Sequence, residues 1–143
     1  MDLNRRHELI KRIKEQGLPT ANKQRPVVSL EEFFIGNDDL GSIGCNLADH
    51  PGIQKFYNIL KAIREKHEVQ DVLIEIHEVE ESDESMWPFS ERVYILTHCT
   101  REQVKKWVSE LEPDEITEGY GGGVPPAAPQ LEAKVTAYAV WWD

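Results

Sequence analysis

Two amphipathic helices, each flanked by runs of strand-forming residues, constrain this chain more than any other feature. In residues 51–66, Ile53, Phe56, Tyr57, Leu60 and Ile63 recur at helical spacing. Asp49 precedes them as a cap, and Pro51 sits in the first turn, where its missing N–H is not needed. Lys61, Arg64 and Lys66 fall in the last turns, where positive charge complements the helix dipole. The second helix opens on Thr100 with Gln103 three residues on, a capping box, and carries Val104, Trp107, Val108 and Leu111 on one stripe. Strands are expected over 72–79, 92–98 and 134–142. The run 27–35 (VVSLEEFFI) holds two competing signals. Ser29 followed by Glu32 fits a helix capping box, whereas Val27, Val28, Phe33, Phe34 and Ile35 favour a strand closed by the turn residues Gly36, Asn37, Asp38 and Asp39. A strand is expected over 27–35.

The order is then strand, helix, strand, strand, helix, strand, preceded by a helix over 3–16. It predicts an α+β, ferredoxin-like βαββαβ fold: a four-stranded antiparallel sheet with two helices on one face and an extra N-terminal helix. At 143 residues, one α+β domain over 27–143 is expected, joined to an N-terminal helix and basic arm over 1–26. The other sheet face would be apolar and need a cover. The stripe Leu9, Ile10, Ile13 of the first helix is thin, which favours a second copy of the chain, a homodimer. Alternation at the C-terminus sends one of Trp141 and Trp142 into the core and the other to that open face.

Charge narrows the function classes. The net charge of −10 argues against nucleic acid as a partner. No apolar run approaches the roughly 20 residues that span a bilayer, so no membrane partner is expected. The start, MDLNRRHELIKRIKEQG, lacks a signal-peptide core, and two cysteines do not make a disulfide scaffold, so a cytoplasmic setting is expected. Residues 1–26 hold seven Lys or Arg against three Asp or Glu, so a basic arm precedes an acidic body.

The predicted topology would gather the loops 36–50, 80–90 and 112–133 at one end of the sheet. All three are rich in acids and contain no Lys or Arg. Like charges gathered there would attract a cation or a basic partner. Asp38, Asp39, Asn46, Glu81, Asp83, Glu84, Trp87 and Tyr120 are the binding candidates. The acids would steer an encounter and the aromatics anchor it. The catalytic candidates are Asp38, Asp39, Cys45, His50 and His77. Asp38 and Asp39 are the only weak candidates for a metal, because their spacing does not match a calcium loop. No cofactor is expected. Pairing the hairpin with residue 79 opposite 91 separates His77 from His98, which speaks against a shared zinc site.

The run EEFFIGNDDLGSIGCNL, with WPF in mid-chain and WWD at the end, resembles a small group of uncharacterised bacterial proteins. The resemblance covers most of 27–143 and implies a bacterial cytoplasmic setting; it implies no catalytic roles. Two readings remain open. The first is a non-enzymatic binding or regulatory module whose acidic face takes a basic protein or peptide. The alternative is a cation-assisted hydrolase or lyase using Asp38 and Asp39 with a histidine base.

Overall fold

The computed structural model describes residues 1–19 and 24–143. Its elements are α1 (Leu3–Gln16), β1 (Val27–Val28), α2 (Leu30–Phe34), α3 (Ile53–Arg64), β2 (Val69–Glu75), β3 (Arg92–Thr97), α4 (Arg101–Trp107), β4 (Glu115–Glu118) and β5 (Thr136–Trp141), with 3-10 turns at Leu40–Ser42 and Ser109–Leu111. The expected connector 19–26 falls partly outside the described residues, Lys23 included.

The α+β class holds, but the topology differs from the expected one. Five strands form a single sheet in the order β1-β2-β3-β5-β4, with every neighbouring pair antiparallel. A ferredoxin-like sheet needs βαβ crossovers between parallel strands; here β1 lies antiparallel against β2 instead. The cause is local. The strand expected over 27–35 stops at Val28, because both halves of the capping box form: Ser29 Oγ accepts from Glu32 N (3.1 Å) and Glu32 Oε1 accepts from Ser29 N (3.0 Å). The helical turn buries Leu30, Phe33 and Phe34 together, at spacing i, i+3, i+4. The loop expected over 112–133 contains the fifth strand, β4, on the outer edge of the sheet.

The hairpin register is three residues from the expected one. Glu75 faces Arg92 and Leu73 faces Tyr94. Val72, Ile74, Val93, Ile95, Ile116, Tyr138 and Val140 therefore share the face on which the helices pack, joined there by Leu9 and Ile13 of α1. The opposite face carries Val27, Leu73, Tyr94, Leu96, Ala137 and Ala139. It is covered by the chain itself: Tyr120, Ala127, Ala128 and Val135 pack on it. That cover removes the bare apolar face from which a homodimer was expected.

An ion pair ties short α2 to α3. Glu31 accepts two bonds from the Arg64 guanidinium, both 2.6 Å, and one from the Tyr57 hydroxyl at 3.2 Å. The Arg64 bonds are the main cause that lowers the Glu31 pKa from the usual 4.5 to about 2, against the opposing pull of burial. A lowered carboxylate pKa adds stability that is complete above about pH 4.5 and is lost as pH falls through 2. The Glu31 side chain is 41% exposed, so water screens the pair, and Glu31→Gln is expected to cost only about 1 kcal/mol at neutral pH. Urea melts of parent and variant should converge near pH 2.

Candidate functional site: an acidic cleft between two loops

The loop after α2 is organised by short side chains. Buried Asn37 donates from Nδ2 to Ser42 Oγ (2.9 Å) and accepts from Asp39 N on Oδ1 (2.9 Å). Asp39 in turn caps the 3-10 turn through Oδ1, which accepts from Gly41 N at 3.0 Å. Its second oxygen reaches across to the hairpin loop between β2 and β3 and accepts from Trp87 N at 3.0 Å. Ser90 N donates to Ser42 O at 2.7 Å, a second tie between the same loops.

The hairpin loop is held from its other side by α1. Arg6, only 6% exposed, points its guanidinium into a ring of main-chain carbonyls. Nε donates to Met86 O (2.8 Å), and Nη2 to Glu80 O (2.8 Å) and Asp83 O (2.9 Å). The Ser85 hydroxyl and amide bond Asp83 and hold its carboxyl below the usual range, with the Arg6 charge adding to them.

Between the two loops lies a cleft of about 320 Å³. Its apolar part is Met86, Trp87 and Phe89, and its acidic rim is Asp39, Glu78 and Glu80. Met86 is 45% exposed, and Leu40, between Asp39 and Gly41, is 53% exposed. Trp87 itself is buried, and its indole Nε1 has no hydrogen-bond partner among the described residues. A larger hollow of about 530 Å³ runs along α1, but Lys11, Lys14, Glu15 and Glu81 line it with both signs of charge. The first cleft combines aromatic and thioether surface with uniformly negative charge.

The structure brings together Asp39 and Trp87 from the expected set. Asp38 points away, exposed, and pairs with the Met1 ammonium at 2.7 Å. Asn46 is exposed and donates to Asp114 Oδ2 at 2.9 Å, which links the first loop to the end of β5 through Asp114. Glu81 pairs with Lys14 of α1, and Glu84 is exposed beside that helix. Tyr120 lies on the far face of the sheet, edge-on to Tyr94 at 4.9 Å. Loops 36–50 and 80–90 therefore share one end, whereas the third segment meets the first through Asp114 and then crosses behind the sheet.

Cys45 is exposed. Both nitrogens of His50 are engaged: Nδ1 accepts from Gly52 N (2.9 Å), so the proton sits on Nε2, 2.7 Å from Ile43 O. That histidine clamps the loop start of α3. His77 lies with Nδ1 3.2 Å from Glu91 Oε1 and its ring edge on Phe89. Among the described residues, no group of three His, Cys, Asp or Glu is arranged to hold a metal ion, and no helix is long and apolar enough to cross a membrane. Glu78, Glu80, Met86 and Phe89 are not among the residues the sequence singles out, although Met86 and Phe89 flank Trp87 and Pro88 directly.

The molecule is thus an α+β protein with one antiparallel sheet, helices on one face and a cleft of acidic loops at one end. A family model described as "Uncharacterized protein YfbO family" matches residues 4–140. The protein named "Uncharacterized protein YfbO" from Escherichia coli (strain K12) is 38% identical over 120 residues, covering 83% of this chain and 84% of that one. The chain belongs to the YfbO family. No solved structure matches it.

Proposed function

We propose that this protein is a binding module whose cleft between residues 36–50 and 80–90 takes a basic, partly apolar segment of another protein. The observation that carries the reading is an exposed methionine on an aromatic wall, rimmed by Asp39, Glu78 and Glu80 in loops without Lys or Arg. Apolar surface ringed by like charge suits a ligand that pairs an aliphatic side chain with cations. The cleft lies near the lower end of the size range for small-molecule pockets, which suits the side chains of a docked segment. The hairpin loop already accommodates basic groups from its own chain, Arg6 on its carbonyls and Lys14 on Glu81. The hydrolase reading gains no support from this geometry, because Asp38 and Asp39 diverge into different contacts and His50 has no free nitrogen.

Isothermal titration with a hexapeptide of four lysines and two leucines tests the reading. Binding should weaken at least about tenfold between roughly 0.05 M and 0.5 M salt, as contacts between exposed charges are screened. The double variant Glu78→Gln, Glu80→Gln and the single variant Met86→Ala should each weaken it about three- to tenfold at low salt. Glu110→Gln, on the acid paired with Lys55 away from the cleft, should change it less than about twofold. No measurable binding, or equal effects of the cleft and Glu110 variants, overturns the proposal.

A further inference from the structure

We propose that residues 119–130 form a lid that swings off the back of the sheet while the rest of the chain stays folded, uncovering Glu75 and Tyr94 beside Arg92. The segment is tied at its two ends. Gly119 N donates to Ala137 O at 2.7 Å, and Gln70 bonds both Gln130 O (2.9 Å) and Glu132 N (3.0 Å). Between those ties its backbone bonds among the described residues are internal, Gly123 N to Tyr120 O and Ala128 N to Pro125 O. It is held down by the packing of Tyr120, Ala127 and Ala128 on the sheet, and the Gln24 side chain lies against Gly123. Gly119 (φ +90°) and Gly123 (φ +95°) bracket Tyr120 in backbone conformations open to glycine, natural pivots for a short swing.

The closed state leaves polar groups unsatisfied. The Tyr120 hydroxyl and the Trp141 Nε1 are buried without a hydrogen-bond partner among the described residues. Each regains a partner in water when the segment lifts. Beneath it sits a carboxylate that few sheets bury: Glu75 is 4% exposed, accepts from the Tyr94 hydroxyl, and has Arg92 Nη1 at 3.6 Å. Burial and the neighbouring Glu75 charge push the Tyr94 hydroxyl pKa upward, so it stays a donor. Arg92 Nη1 lies only 3.1 Å from where a Cβ on Gly121 would stand, so the lid crosses directly over this cluster. Opening exposes a carboxylate and a phenol beside the already part-exposed Arg92 guanidinium, at one end of an apolar floor of Leu73, Leu96, Ala137 and Ala139. An apolar surface with a few convergent polar groups is the usual make-up of a ligand site.

Thiol labelling of the full chain tests this, in a Cys45→Ser, Cys99→Ser background. Ala139→Cys places a reporter under the lid, and Val140→Cys places one on the opposite, helix-covered face. In buffer, Ala139→Cys should react at least about 100-fold faster than Val140→Cys, with little dependence on urea, as for a local opening. Adding Tyr120→Ala should speed Ala139→Cys by about tenfold more and leave Val140→Cys unchanged. Ala137→Cys is the second reporter should Ala139→Cys fail to fold, judged by far-UV circular dichroism. Equal labelling rates on the two faces with the same urea dependence would mean that the segment leaves only on global unfolding, and would overturn the proposal.

Discussion

Trp142→Ala is expected to lower the unfolding free energy by about 3–5 kcal/mol, a large share of what a domain of this size holds. The indole is fully buried, and its ring centroid lies 5.5 Å from that of Phe56 of α3. Its Nε1 donates to Leu111 O at 2.7 Å, where the chain leaves the 3-10 turn after α4. One side chain therefore fastens α3 and the 3-10 turn after α4 to the end of the last strand. Truncation opens a cavity and leaves a buried carbonyl unpaired, and the two penalties add. Trp142→Phe keeps much of the volume and loses the hydrogen bond, so its cost should be about half as large. A urea melt that shows Trp142→Ala within about 1 kcal/mol of the parent would mean that this contact is not part of the core.

Arg6→Met should cost about 2–4 kcal/mol, a size normally reserved for core positions. Methionine keeps most of the stem packing but removes the guanidinium donors from the carbonyls of Glu80, Asp83 and Met86, leaving Glu80 O the longer bond from Asp83 N at 3.4 Å. Those carbonyls converge because one planar guanidinium satisfies them together. Arg6→Lys should recover only part of the loss, since an ammonium cannot present the same fork. The variant also reaches the cleft. Met86 and Glu80 line it, and both belong to the segment that Arg6 organises. Peptide binding should fall by at least about threefold in Arg6→Met, and Glu110→Gln serves as the reference. Unchanged stability and unchanged binding in Arg6→Met would contradict the account of how the hairpin loop is held.

Several elements were legible in the residues because a single local interaction decides them. Thr100 and Gln103 form the capping box their spacing suggests, and α4 begins there. Ile53, Phe56, Leu60 and Ile63 of α3 are all buried, as the helical period requires. The segment 27–35 shows how two local signals are decided. Aromatic strand formers were read as β, yet Leu30, Phe33 and Phe34 also share a helical face, and the reciprocal bonds of Ser29 and Glu32 stabilise the helix start.

Other features depend on contacts that no local pattern announces. In β4 only Ile116 is buried, so the edge strand reads as an acidic loop. The hairpin register slipped because β2 and β3 are apolar on both faces, and alternation cannot then say which residues look toward the helices. The destination of Tyr120 is tertiary: glycines on either side let it turn behind the sheet, but nothing near it in sequence names Tyr94 as its neighbour. Arg6 looked like any exposed charge on a helix, because its partners are carbonyls eighty residues away that converge only after folding. At the cleft, loop composition pointed to Asp39 and Trp87. The contributions of Glu78, Glu80, Met86 and Phe89 follow from how the two loops close on each other.

The most direct test of the binding reading is a titration of the ¹⁵N-labelled chain with the lysine–leucine hexapeptide, followed by amide and indole chemical shifts. The largest changes are expected at Asp39, Gly41, Glu78, Glu80, Ser85 and Met86, together with the Trp87 indole, while Asp38 and Glu110 stay nearly still. Shifts spread evenly over the acidic surface, or centred away from these two loops, would contradict it.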